Sequence, residues 1–89
     1  MEKKKILLVD DEAGFNRMLK LNLEESGRYE VMTETKGSQA LSRLHEFHPD
    51  LVLLDVIMPD LSGMEVVKQI RSEKVFDHIP VIFLTATVP

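Results

Sequence analysis

The sequence predicts an α/β fold, a doubly wound parallel sheet with helices on both faces, and three observations carry that expectation. Short apolar blocks at Ile6-Leu7-Leu8-Val9, Leu51-Val52-Leu53-Leu54 and Val81-Ile82-Phe83-Leu84 read as strands covered on both sides. Helical patterns separate them, and such alternation gives parallel strands joined by right-handed crossovers. Polar residues follow each block: Asp10-Asp11-Glu12 after Val9, Asp55 after Leu54, Thr85-Ala86 after Leu84.

The elements follow in order. Lys3, Lys4 and Lys5 precede the first strand as a solvated terminus. In the first helix, Phe15, Met18, Leu19 and Leu23 form an apolar stripe at i, i+3, i+4, i+8, and Gly27 stands where a C-cap closes it. Tyr29 to Glu34 mixes apolar and polar residues as an edge strand does. Ser38 is expected to cap a second helix with Leu41, Leu44 and Phe47 on its apolar side, ended by His48-Pro49 because the residue before proline avoids the helical region. After the central strand, Ser62 or Gly63 opens a third helix with Met64, Val66, Val67 and Ile70 inward and Lys68, Arg71 and Lys74 outward.

A chain of 89 residues suits one domain, 1–89, at the small end of the usual range. Its 44% hydrophobic and 29% charged content is that of a soluble folded protein, with no apolar run near the ~20 residues of a membrane span. The four residues between Lys5 and Asp10 are too few for a signal peptide, so a cytoplasmic location is expected. Cysteine is absent, which excludes disulfides and thiolate chemistry, and a net charge of −4 argues against direct nucleic-acid binding. Any effect on DNA would be indirect.

In open α/β sheets ligands bind beyond the carboxyl ends of the strands, where strand order reverses. With the second strand at an edge, that reversal falls between the first and third strands, so Asp10, Asp11 and Asp55 should converge. Carboxylates gathered in this way repel, and either raise a pKa or recruit a cation. All-oxygen ligands favour Mg²⁺ or Mn²⁺ over zinc. A carboxylate can be the nucleophile in phosphoryl transfer, and Asp55, alone at the end of the central strand, is best placed. Thr85 offers a hydroxyl to a phosphoryl oxygen.

Leu7-Leu8-Val9-Asp10-Asp11-Glu12, Asp50 to Asp60 with Met58-Pro59, Gly63, and Pro80 to Ala86 together resemble the receiver domains of two-component response regulators, along the whole chain. The resemblance implies a flavodoxin-like receiver fold of strand order 2-1-3-4. It makes Asp55 the phosphorylation site, in a reaction dependent on Mg²⁺. Asp11 becomes a direct metal ligand, Asp10 a ligand through water, the backbone carbonyl of Ile57 a further ligand, and Thr85 the switch hydroxyl. The phosphoryl donor would be a sensor histidine kinase or phosphotransfer protein, and an output domain or partner would read the signal. The domain assists its own phosphorylation without being an enzyme. The sequence stops at Pro89, so the family's fourth helix, fifth strand and fifth helix are expected to be missing, with the lysine that ends the fifth strand.

That missing lysine keeps a second reading open, a pseudo-receiver that binds partners without phosphorylation. A haloacid dehalogenase-type hydrolase wants an acid two positions after its nucleophile, where Ile57 stands. Asp60 and Glu12 read as solvated or capping residues, and His45, His48 and His78 share no metal-ligand spacing and read as surface residues. An apolar fourth strand left at an edge is a template for pairing, so a homo-oligomer through that strand, the open face or segment exchange is expected.

Overall fold

A computed structural model gives the fold, and it describes residues 2–84. Thr85, the expected switch hydroxyl, lies outside the described residues. The elements are β1 (Lys4–Val9), α1 (Ala13–Glu25), β2 (Tyr29–Glu34), a 3-10 turn (Gly37–Gln39) running into α2 (Ala40–Phe47), β3 (Leu51–Asp55), α3 (Gly63–Arg71), a second 3-10 turn (Lys74–Phe76) and β4 (Val81–Leu84). All pairings are parallel, in the order β2-β1-β3-β4. The reversal of strand order therefore falls between β1 and β3, as the sequence predicts.

Because side chains alternate along a strand, each central strand feeds two cores. Leu7, Val9, Val52 and Leu54 join Leu44 of α2, Val66 and Ile70 of α3 and Phe76 on one face. On the other face Ile6, Leu8 and Val31 pack with Leu19 and Leu23 of α1. The first cluster has two helices over it and the second has one, so Ile82 of β4 is 51% exposed.

Several local expectations hold. Helix α1 ends at Glu25, two residues before Gly27, whose φ of 77° continues the chain into β2 and whose N–H donates to the Glu24 carbonyl. Helix α2 ends at Phe47, with His48 in a left-handed conformation ahead of Pro49. Ser62 caps α3, its hydroxyl accepting from the Glu65 N–H at 3.3 Å.

Others are corrected. The inward stripe of α1 is Asn16, Leu19 and Leu23; Phe15 and Met18 are exposed, because the helix rests on β2 and turns that side away from the sheet. Ser38 sits inside the 3-10 turn and caps nothing with its hydroxyl; its own N–H, at 3.0 Å, and that of Gly37, at 3.2 Å, donate instead to the Asp60 carboxylate from the loop after β3. Met64 is exposed on the first turn of α3, and Lys74 belongs to the following 3-10 turn.

Candidate metal centre

The site begins where β1 runs out. The Asp10 N–H donates to the Glu34 carbonyl at 3.0 Å, extending the β1–β2 ladder one residue past Val9. The Asp10 carboxylate then folds back to accept the Glu12 N–H at 2.9 Å, an Asx turn that sharpens the entry to α1. Asp10 is nearly buried at 9% exposure, while Asp11, the next residue, is exposed.

Asp55 arrives from the neighbouring strand, and its carboxylate accepts the Ile57 N–H at 3.3 Å. The chain after it must turn at once, because α3 starts against it: the Gly63 N–H donates to the Val56 carbonyl at 2.8 Å. A Cβ on Gly63 would collide with the Asp55 carbonyl oxygen, so only glycine allows the helix this close.

One carboxylate oxygen from each of Asp10, Asp11 and Asp55 lies within 4.8 Å of the others. Burial pushes the Asp55 carboxyl above its ordinary value; the Asp10 charge and the Asp11 carboxyl push the same way, and the Ile57 N–H only partly opposes them. A third anion in this place is electrostatically unfavourable, and a hard cation relieves it. The donors are all oxygen, which fits a hard divalent ion, and a cleft of about 610 Å³ lies over them, rimmed by Phe15, Val56, Ile57 and Leu84. Ile57 stands at the rim with its side chain 80% exposed.

Two groups near the acids went unread in the sequence. Asn16, 2% exposed, donates from Nδ2 to the Asp10 carbonyl at 2.8 Å and to the Glu34 carbonyl at 3.5 Å, while its Oδ1 is buried with no partner among the described residues. Glu34, 9% exposed, accepts the Thr35 and Lys36 N–H groups and the Arg43 guanidinium at 2.8–2.9 Å. Burial raises the Glu34 pKa, but Arg43 and those amides outweigh it and hold the carboxyl below its ordinary value. The available signal for Asn16 was its place three and seven residues before Leu19 and Leu23, on the stripe that faces the sheet. Glu12 and Asp60 stay outside the acidic cluster. Among the described residues no His joins it; His45 pairs instead with Glu73 at 2.8 Å.

A four-stranded parallel sheet of this order, with acids converging at its switch point, defines a doubly wound α/β domain with an acidic ligand site at the strand ends. The chain belongs to the response regulator receiver domain family, whose model matches residues 6–88. It is 47% identical over 83 residues to the alkaline phosphatase synthesis transcriptional regulatory protein PhoP of Bacillus subtilis, covering 93% of this chain and 33% of that protein. The polar-differentiation response regulator DivK of Brucella ovis is 39% identical over 83 residues, covering 93% of this chain and 67% of that one. Among solved structures, the chemotaxis protein CheY4 of Vibrio cholerae superposes with a TM-score of 0.90 at 32% identity, over 99% of this chain and 72% of that one. The chain spans about a third of the length of PhoP. As a receiver domain of the two-component type, it functions in phosphoryl acceptance in signal transduction.

Proposed function

We propose that Asp55 is the phosphoacceptor and that Asp10, Asp11, Asp55 and the Ile57 backbone carbonyl hold a Mg²⁺ ion, with Mn²⁺ as a substitute. The observation that carries this is the convergence of the three carboxylates within 4.8 Å at the β1–β3 switch point. A cation bound there supplies charge neutralisation for the phosphoryl oxygens. An Asp55 oxygen attacks the phosphorus of a phosphohistidine, the P–N bond breaks, and the imidazole leaves as an O–P bond forms to give the Asp55 acyl phosphate. The Ile57 N–H, already on the Asp55 carboxylate, orients it. Thr85, outside the described residues, belongs to the same proposal as the hydroxyl that would donate a hydrogen bond to a phosphoryl oxygen. The domain is a substrate that assists its own modification and its reversal, and is not counted as an enzyme.

Receiver domains take their phosphoryl group from histidine kinases or phosphotransfer proteins, and a donor of this class is proposed here. PhoP and its like are named transcriptional regulators, so an output acting on transcription is proposed, carried by a segment or partner other than this acidic domain of net charge −4. No helix among the described residues is long and apolar enough to cross a membrane, and a cytoplasmic setting is proposed with the kinase reaction. Self-association through β4 is part of the same proposal.

Incubation with acetyl phosphate and Mg²⁺, read by intact mass, tests it. One labile phosphoryl adduct is expected, absent in Asp55→Asn and without EDTA-resistant formation. Stoichiometric labelling of Asp55→Asn would move the nucleophile elsewhere, and no labelling of the wild type would favour a phosphorylation-independent interaction module.

A further inference from the structure

A buried asparagine on the apolar stripe of a helix is out of place unless its amide is needed, and among the described residues the side-chain partners of Asn16 are the Asp10 and Glu34 carbonyls at the acidic end of the sheet. Its Nδ2 holds the Asp10 carbonyl at 2.8 Å and reaches the Glu34 carbonyl at 3.5 Å, while its backbone N–H donates to the Glu12 carbonyl at 3.0 Å. From the first turn of α1 this side chain therefore ties together the end of β1 and the end of β2, the elements beside which Asp11 is displayed. The amide orientation is fixed, because turning it over would set Oδ1 against two carbonyl oxygens. In the orientation that remains, Oδ1 is buried and has no partner among the described residues. Fold stability alone gives no reason to keep such a group where Leu19 and Leu23 continue the stripe with carbon.

We propose that Asn16 is a positioning residue for the cation site, holding the β1–α1 turn so that Asp10 and Asp11 meet Asp55 at binding distance. The proposal rests on the reading of the site given above and adds a residue to it. Asn16 itself stays off the cation. Groups that orient metal ligands typically change affinity by about 10–100-fold when removed, and a positioning amide on the Asp10 carbonyl is expected to act in the same way.

The test is a Mg²⁺ titration of the 89-residue chain and its Asn16→Leu variant, followed by the backbone amide shifts of Asp11 and Ile57, with thermal melts alongside. Half-saturating Mg²⁺ is expected to rise about 10-fold in Asn16→Leu with little change in melting temperature. The rate of labelling by acetyl phosphate should fall at low Mg²⁺ and recover at saturating Mg²⁺. Leu23→Ala, on the same stripe but remote from the acids, should lower the melting temperature and leave half-saturation unchanged. Equal half-saturation in wild type and Asn16→Leu, or an equal rise in Leu23→Ala, overturns the proposal. A wild type silent to millimolar Mg²⁺ overturns it together with the cation site itself. Where Asn16→Leu does not fold, the Asn16 side-chain amide of the wild type is the readout: its resonances should shift with the midpoint of Asp11, and resonances that stay fixed overturn the proposal.

Discussion

The sheet has two outer strands, and they are finished in opposite ways. At β2, α1 reaches over the edge: the Glu24 carboxylate accepts the Val31 N–H at 2.9 Å, Lys20 donates to the Val31 carbonyl, and the two side chains pair at 3.0 Å. The free backbone groups of that residue are thus occupied within the chain. At β4 the outward residues are apolar, with Ile82 51% and Phe83 38% exposed, and no strand lies beyond it among the described residues. Exposed edges are a pairing hazard that proteins blunt with charge. The charged clamp makes β2 a terminal edge, whereas the composition of β4 is that of a strand with a neighbour.

The largest effect should come from the unblunted edge. Light scattering of the wild-type chain is expected to give a mass above the 10.2 kDa of one copy, and Ile82→Lys should return it to that value. A wild-type monomer that melts cooperatively would break the comparison at once.

At the blunted edge the change is smaller and of opposite kind. Glu24→Ala removes the partner of the Val31 N–H and of Lys20, and on a half-exposed pair this is worth about 0.5–1 kcal/mol. A drop of a few degrees in melting temperature is expected, with added self-association through β2; unchanged melting would mean water serves Val31 equally well.

The acidic end of the central strands gives an effect of similar size with the reverse sign. Asp55→Asn removes one of the mutually repelling carboxylates, so without Mg²⁺ it should stabilise the fold by roughly 1 kcal/mol. Thermal melts with and without Mg²⁺ check this, since the cation should stabilise the wild type and not the variant.

The smallest effect is on pH. Glu24 is held below its ordinary 4.5 by the Val31 N–H first and then by Lys20, and Asp60 is brought from 3.8 to about 2, first by the Ser38 N–H. Both pKa values are depressed in the folded state, so their contribution is present above the unfolded values and is lost as pH falls through the folded ones. For Asp60 that window runs from 3.8 down to about 2. Acid melts of Asp60→Asn should be flatter than wild type across it; parallel curves would show that the amides of Gly37 and Ser38 hold their loop without the charge.

Much of this was written in the sequence. The strand blocks, the placing of β2 at an edge, the C-terminal glycine of α1, the Ser62 cap and the convergence of Asp10, Asp11 and Asp55 all follow from patterns that repeat every two to four residues, or from what stands directly after a strand. Local sterics and alternation decide such features, so a single chain displays them.

What only the tertiary structure decided is longer in range. Asp60 caps a turn 22 residues before it, Glu34 lends its carbonyl to Asp10 and its carboxylate to Arg43, and Asn16 takes the place on the inward stripe that Phe15 and Met18 were expected to fill. The spacing of apolar residues fixes that α1 is amphipathic but not how it is rotated. That rotation is settled by the helix resting on β2 and by which polar group can reach the carbonyls at the strand ends. Hydrogen bonds between segments distant in sequence leave no periodic trace, so the frame around the acids became visible only when the sheet had brought its strands together.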